Sequence, residues 1–192
     1  MEFEFDSRTK RLRDDLLSFM DSHVYPAEPV LAEQIAAGDR WTRPPMVKRL
    51  QTAARERGLW NLFLPDSEYG AGLTNLQYAP LAEITGRSPR LAPEALNCAA
   101  PDTGNMELLA GFGSPRQRQE WLVPLLDGEI RSAFCMSEPD VASSDATNIA
   151  TRIARDGDSY VINGRKWWSS GAMSESCRLL IVMGQTDPEA QR

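Results

Sequence analysis

The sequence has few of the residues that build metal sites and disulfide frameworks. Its 192 residues include one histidine and three cysteines, and the cysteines lie far apart with no CxxC pair. Zinc sites need about four clustered His or Cys ligands, and disulfide frameworks need regularly spaced cysteine pairs. We therefore expect no metal site and reduced thiols. The single histidine, His23, and the lack of a GxSxG motif also disfavour a Ser-His-Asp hydrolase; we expect His23 at a helix end.

Basic charge and long apolar runs are also scarce. The net charge is −6 and the sequence pI is near 4.9, which disfavours nucleic acid as a ligand because phosphate binding needs a dominant basic face. No apolar run approaches the roughly 18 residues that predict a membrane helix. The acidic start MEFEFDSRTK lacks the pattern of a secretory signal. The sequence thus predicts a cytoplasmic protein that neither binds nucleic acid nor inserts into a membrane.

Helical periodicity extends to about residue 130. Apolar residues recur at intervals of three and four from Leu12 to Val24, and we expect Pro26 to end that helix. Val47, Leu50 and Ala54 share one face of a helix opened by Pro44-Pro45. Further helices are predicted around Leu76 to Ile84, around Asp102 to Ala110 and after the capping sequence SPRQ (114–117), where we expect Pro124 to bend or end the helix.

Strand-like patterns follow Gly128. Apolar runs over 132–136 and 178–183 predict strands, the second of them buried. Asp156-Gly157 and Asn163-Gly164 are hairpin signals, so a further strand is expected over 165–169.

The fold class predicted from these patterns is α+β, with an all-α helical domain over residues 1–130 and the start of a β domain over 131–192. Three or four strands leave open sheet edges and an uncovered face. We therefore expect the chain to be cut inside a domain.

Two stretches have residues suited to ligand binding. In RSAFCMSEPDVASSDATN (131–148), an apolar strand leads into small hydroxyls and exposed backbone N–H groups, which suit a flat, acceptor-rich ligand. A solvated acidic loop is the alternative, whereas a calcium loop is rejected because the EF-hand spacing is missing.

The second stretch is NGRKWWSSGA (163–172). Its adjacent tryptophans would point to opposite faces of a strand, so we expect Trp167 in the core and Trp168 outside. The outer ring is either plain surface or a platform for a planar aromatic cofactor, with the hydroxyls of Ser169 and Ser170 beside it.

The sequence resembles the acyl-CoA dehydrogenases. The residues that carry the resemblance are AFCMSEPDVASSDATN (133–148), YVINGRKWWSSGA (160–172) and LPDSEYGAGL (64–73), with weaker support from 113–129. DVASSDATN and KWWSSGA are most similar to the branch that contains acyl-CoA dehydrogenase family members ten and eleven and their bacterial relatives. The resemblance covers essentially the whole chain, although complete family members are longer.

The resemblance implies an N-terminal helical domain, a β-barrel-like middle domain and a C-terminal four-helix domain, the last of which we expect to be absent from this chain. FAD would lie between the last two domains and a neighbouring subunit. Matching positions imply that Phe134, Met136 and Ser137 line the pyrimidine end of the flavin, that Trp168 packs against the ring system with Ser169 beside it, and that Ser170 lies by N5. Ser144 would contact acyl-CoA, with Ser143 as the alternative because the loop after Glu-Pro is longer than usual.

The implied reaction is FAD-dependent α,β-dehydrogenation of an acyl-CoA thioester to a trans-2-enoyl-CoA, in fatty-acid or related catabolism. The family's base is a glutamate of the C-terminal domain, so no catalytic base is assigned here. An electron-transfer flavoprotein as electron acceptor and a homodimer or homotetramer are also implied. The alternatives are a truncated non-catalytic subunit, an acyl-CoA binding protein and an acyl-CoA oxidase.

Overall fold

The computed structural model describes residues 4–39, 41–66 and 68–187. Helices form the first part of the chain: α1 (Ser7–Phe19), α2 (Tyr25–Ala37), α3 (Pro45–Glu56), α4 (Asn75–Thr85), α5 (Ala92–Ala95), α6 (Asp102–Phe112), α7 (Pro115–Gln117) and α8 (Val123–Leu126). Four strands follow: β1 (Arg131–Cys135), β2 (Arg152–Asp156), β3 (Ser159–Asn163) and β4 (Cys177–Val182). The α+β fold class is confirmed, and within the described residues no helix is long and apolar enough to cross a membrane.

The first helix does not end at Pro26, as the sequence predicted. A π-helical segment, Met20–Val24, joins α1 directly to α2, and the N–H of Tyr25 bonds to the carbonyl of Met20. Pro26 lies in the first turn after this wider turn, where its missing N–H and its ring are tolerated. His23 therefore lies inside a continuous helical run, with its ring stacked on Phe19 at a centroid distance of 5.0 Å.

The helical run that Ser114 caps also continues past a proline. Its predicted capping box is confirmed, because the Gln117 amide donates to Ser114 Oγ and the Ser114 amide donates to Gln117 Oε1. A second π-helical segment, Arg118–Leu122, then leads into α8, which contains Pro124. The run continues through the proline to Leu126 because the wider turn precedes it.

Two apolar clusters hold the helices together and attach the strands to them. The larger cluster includes the predicted face of α3, where Val47, Leu50 and Ala54 are buried. The smaller cluster joins α6 to the second π-helical segment and α8 through Met106, Leu109, Leu122 and Leu125, and Leu179 of β4 packs against it. The strand region thus rests on the C-terminal part of the helical region.

The strands form two separate pairs. β1 pairs with β4 in parallel, and β2 pairs with β3 as an antiparallel hairpin in which Asp156 faces Ser159. Gly157, at φ +59°, begins the two-residue turn, so the predicted hairpin at Asp156-Gly157 is confirmed. The prediction that β4 is buried is wrong, since its residues are half-buried or exposed. In β1, by contrast, Ser132, Ala133 and Cys135 are buried.

The strand expected over 165–169 is not present, because Asn163-Gly164 does not form a hairpin turn. At Gly164 the chain passes so close to Thr151 that a Cβ atom would lie 2.1 Å from Thr151 Oγ1 and 2.6 Å from its Cβ. Glycine is therefore required here for a close approach between two segments. The following residues run as irregular backbone alongside β1.

The substitution Gly164→Ala tests this close approach. The added methyl group must displace Thr151, so we expect the free energy of unfolding to fall by about 1–3 kcal/mol, as for other overpacked sites. Gly111→Ala is the matched control, because no atom lies within 4 Å of its added Cβ, and alanine in a helix should stabilise by about 0.5–1 kcal/mol. Urea denaturation measures both. Equal stability of the Gly164 variant and the wild type would contradict the contact.

Candidate functional site

Trp167 and Trp168 form an exposed aromatic pair. Their side chains are 47% and 81% exposed, and their rings meet edge to face at a centroid distance of 6.1 Å. The prediction that Trp167 lies in the core is wrong. Side chains alternate between faces only along an extended strand, whereas Trp168 has φ +52°, in the left-handed region. This backbone turn lets both rings face outward.

Both rings line an open cavity of about 560 Å³, within the usual size of small-molecule sites. The cavity brings together three predicted cofactor-binding residues, Trp168, Ser169 and Ser170. A third tryptophan, Trp41, approaches from the loop between α2 and α3. Sequence reasoning missed Trp41, because no local pattern relates it to the distant tryptophan pair.

The other predicted segment, with Phe134, Met136 and Ser137 half-buried at the end of β1, lies beside the tryptophans. The Trp167 amide donates to the Ser137 carbonyl at 3.1 Å. Lys166 Nζ donates to the Met136 carbonyl at 2.8 Å. Two segments that are distant in sequence thus meet at one place, as the hypothesis of a shared ligand requires.

A buried ion pair adjoins the place where these two segments meet. Glu138 and Lys166 are 5% and 12% exposed, and Lys166 Nζ lies 2.8 Å from Glu138 Oε1. The amides of Ala150 and Thr151 also donate to the Glu138 carboxylate, at 2.8 and 2.9 Å. Burial raises the pKa of Glu138, but the hydrogen bonds from Lys166 and the amides outweigh it and bring the pKa to about 2.

The sequence patterns indicate no role for Glu138 or Lys166 by themselves. The available signal was that each charged residue directly adjoins a predicted ligand segment, Glu138 after Ser137 and Lys166 before the two tryptophans. Charged residues next to a ligand-binding segment can hold that segment in place through buried hydrogen bonds.

The two candidate substrate serines have different environments. Ser143 is buried, and its Oγ accepts a hydrogen bond from the Glu138 amide at 2.6 Å. Ser144 is exposed on the same loop. Ser143 therefore closes the loop onto the end of β1, and Ser144 has the side chain that faces outward.

A second cavity, of about 340 Å³, lies between the helices and the strands. It shares Trp41, Ser170 and Gly171 with the first cavity, so Ser170 lies where the two spaces meet. Its walls are mixed: apolar side chains of α2 and α3 face charged and hydroxyl groups, which are Arg43, Arg90, Glu94, Arg131, Ser132, Ser174 and Ser176.

A charged network at the wall of this cavity fixes β1 to the helices. Arg131 binds Glu94 through two guanidinium nitrogens, at 2.6 and 3.0 Å, and its Nε lies 2.5 Å from Asp102 Oδ2. The other oxygen of Asp102 accepts from the Ser132 amide at 2.7 Å and from its hydroxyl at 2.5 Å. Asn105 completes the network by donating to Ser132 Oγ.

Comparison with known proteins supports the resemblance noted from the sequence. The family model for the acyl-CoA dehydrogenase N-terminal domain matches residues 7–129, and the model for the middle domain matches residues 133–192. FadE2 of Mycobacterium tuberculosis, named as an acyl-CoA dehydrogenase, is 58% identical over an alignment 192 residues long. The alignment covers 99% of this chain and 46% of FadE2.

Two further relatives agree. Acyl-CoA dehydrogenase family member 11 of Gallus gallus is 56% identical over 172 residues, 88% of this chain and 22% of that protein. A solved Mycobacterium abscessus structure assigned to the acyl-CoA dehydrogenases is 51% identical with a TM-score of 0.92, covering 99% of this chain and 49% of that one. The chain thus spans about half of that structure and of FadE2. It belongs to the acyl-CoA dehydrogenase family.

Proposed function

We propose that the chain supplies flavin-facing and substrate-facing residues of an FAD-dependent acyl-CoA dehydrogenase, which oxidises an acyl-CoA thioester to a trans-2-enoyl-CoA. The helical domain would extend over residues 1–130 and the partial middle domain over 131–192. One observation carries the proposal. The segment that ends β1 and the segment 166–170 meet, through Lys166 and Trp167, beside one open cavity lined by aromatic rings.

The residues at this junction fit a flavin. The exposed Trp168 ring offers a large planar surface toward a cavity of suitable size, and a planar ring system stacks well on such a surface. Ser169 and Ser170 add hydroxyl groups at the edge of the cavity. FAD, when bound, would supply the acceptor for the β hydride at its N5 atom.

The residues of this chain would orient the cofactor. Trp168 would pack against the ring system, and Ser170 would lie near N5. Phe134 and Met136 would line the pyrimidine end through backbone groups, and the Ser137 hydroxyl would donate there. Such donors would stabilise the anionic reduced ring more than the neutral oxidised ring, because hydrogen bonds to a charged acceptor are about twice as strong as neutral ones.

We propose Ser144, rather than Ser143, as the contact for acyl-CoA. The Ser143 hydroxyl is buried and bound to the Glu138 amide, whereas Ser144 is exposed. The second cavity adjoins this site and shares Trp41 and Ser170 with the first cavity. The family takes its base from the C-terminal domain, so no base is assigned in this chain. An electron-transfer flavoprotein would reoxidise the flavin, and the protein would act as a homodimer or homotetramer.

Anaerobic absorbance spectra test the proposal. The protein expressed from its complete coding sequence should purify with FAD, and its visible absorbance should bleach when a suitable acyl-CoA from a panel of thioesters is added. Electron-transfer flavoprotein should restore the absorbance, with formation of trans-2-enoyl-CoA. Rapid reoxidation by oxygen with release of hydrogen peroxide would instead identify an oxidase. A protein without flavin, or one that no thioester bleaches, would contradict the proposal.

A further inference from the structure

We propose that Glu138 and Lys166 are positioning residues, which hold the β1 end (134–137) and the tryptophan segment (168–170) in the one arrangement that receives the flavin. This inference rests on the proposed function, because it assigns a role to residues beneath the proposed flavin site. Neither residue contacts the cofactor in this assignment. They act through the segments that do.

Hydrogen bonds, and not strand pairing, connect the two flavin-facing segments. β1 pairs with β4, and β3 ends at Asn163, so no strand ladder joins the two flavin-facing segments. They are joined by the bonds of Lys166 to the Met136 carbonyl and the Glu138 carboxylate, and by the bond from the Trp167 amide to the Ser137 carbonyl. Two of these three bonds come from a single ammonium group, which therefore fixes the spacing of the segments.

Glu138 makes buried hydrogen bonds to several segments at once. The Glu138 carboxylate accepts from Lys166 and from the Ala150 and Thr151 amides, and the Glu138 amide donates to Ser143. A buried network of charged and amide groups that bond to one another favours one geometry, because each hydrogen bond has a preferred direction. Glu138 thereby holds the end of β1, the serine loop and the tryptophan segment together.

The backbone of Trp168 is in the left-handed region. A non-glycine residue at φ +52° is strained and persists only where its surroundings determine its conformation. The residues that precede it, Lys166 and Trp167, are both bonded to the β1 end. Release of the Lys166 anchor would let Trp168 relax to ordinary backbone angles, which would turn its ring out of the cavity.

A set of three variants separates positioning from folding. Lys166→Met and Glu138→Gln each remove one charge at similar side-chain length, and the double variant removes both, so it contains no unpaired buried charge. We expect Lys166→Met to be the least stable, because it leaves the Glu138 carboxylate uncompensated, and the double variant to regain part of the thermal stability. Glu83→Gln with Arg87→Met is the control, since that i,i+4 pair lies on the surface.

The measurements are flavin dissociation and the visible circular dichroism of bound flavin, with the protein expressed from its complete coding sequence. We expect the folded double variant and Glu138→Gln to release FAD about tenfold faster than the wild type and to change the dichroism, while the control leaves both unchanged. Wild-type dissociation and dichroism in either folded variant would overturn the positioning role. A wild-type protein that holds no flavin would instead overturn the proposed function itself.

Discussion

Replacing Asp102 with alanine is expected to lower the free energy of unfolding by about 3–5 kcal/mol, the usual cost of removing one partner of a buried ion pair. The Asp102 side chain is only 3% exposed, and it binds Arg131 through one oxygen and Ser132 through the other. The substitution leaves the Arg131 Nε and the Ser132 amide without their acceptor. Since β1 is fixed to α6 at this place, the loss should weaken the junction between helices and strands.

The surface pair Arg116–Glu120 supplies the control. Its side chains are 89% and 46% exposed, so Glu120→Ala should cost less than about 0.5 kcal/mol. Urea denaturation of the two alanine variants gives the comparison. Similar stability of the Asp102 and Glu120 single variants would show that the network contributes little.

Local rules predicted the helices well and failed at two prolines. The capping residues at Ser114 and the apolar face of α3 follow from nearest neighbours in the chain, so the sequence is sufficient to predict them. Met20 and Val24, the first and last residues of the first π-helical segment, are fully buried. Their packing holds the wider turn, and Pro26 follows that turn inside the helical run. Tertiary packing thus decides whether a proline ends a helix or follows a wider turn, and that packing is not a local property.

The strand region depends more on contacts between distant residues. Asn163-Gly164 has the residue types of a hairpin turn, yet the glycine is needed because Thr151 lies against it. The expected alternation of Trp167 and Trp168 failed for the same reason, since no strand forms there. The pairing of Glu138 with Lys166 could not be predicted from the sequence, because only the fold brings these two charges together.

Trp168→Ala is expected to weaken flavin retention strongly while leaving the fold intact. The ring contact contributes about 1–3 kcal/mol, so flavin affinity should fall about tenfold to a hundredfold. The Trp168 side chain buries little in the described structure, and alanine at φ +52° meets the same backbone strain as tryptophan. The stability of the flavin-free protein should therefore stay within about 0.5 kcal/mol of the wild type.

A second variant, Trp168→Gly, distinguishes the effect of losing the ring from the effect of the backbone strain. Glycine adopts φ +52° without strain, so this variant should be more stable than Trp168→Ala by about 1 kcal/mol and should lose flavin at least as readily. Tyr160→Ala is the aromatic control, since Tyr160 is exposed on β3 and does not line the cavity. Flavin bound per subunit after dialysis gives the comparison in the protein expressed from its complete coding sequence. Full flavin content in both Trp168 variants would place the ring system elsewhere, even if the protein is an acyl-CoA dehydrogenase.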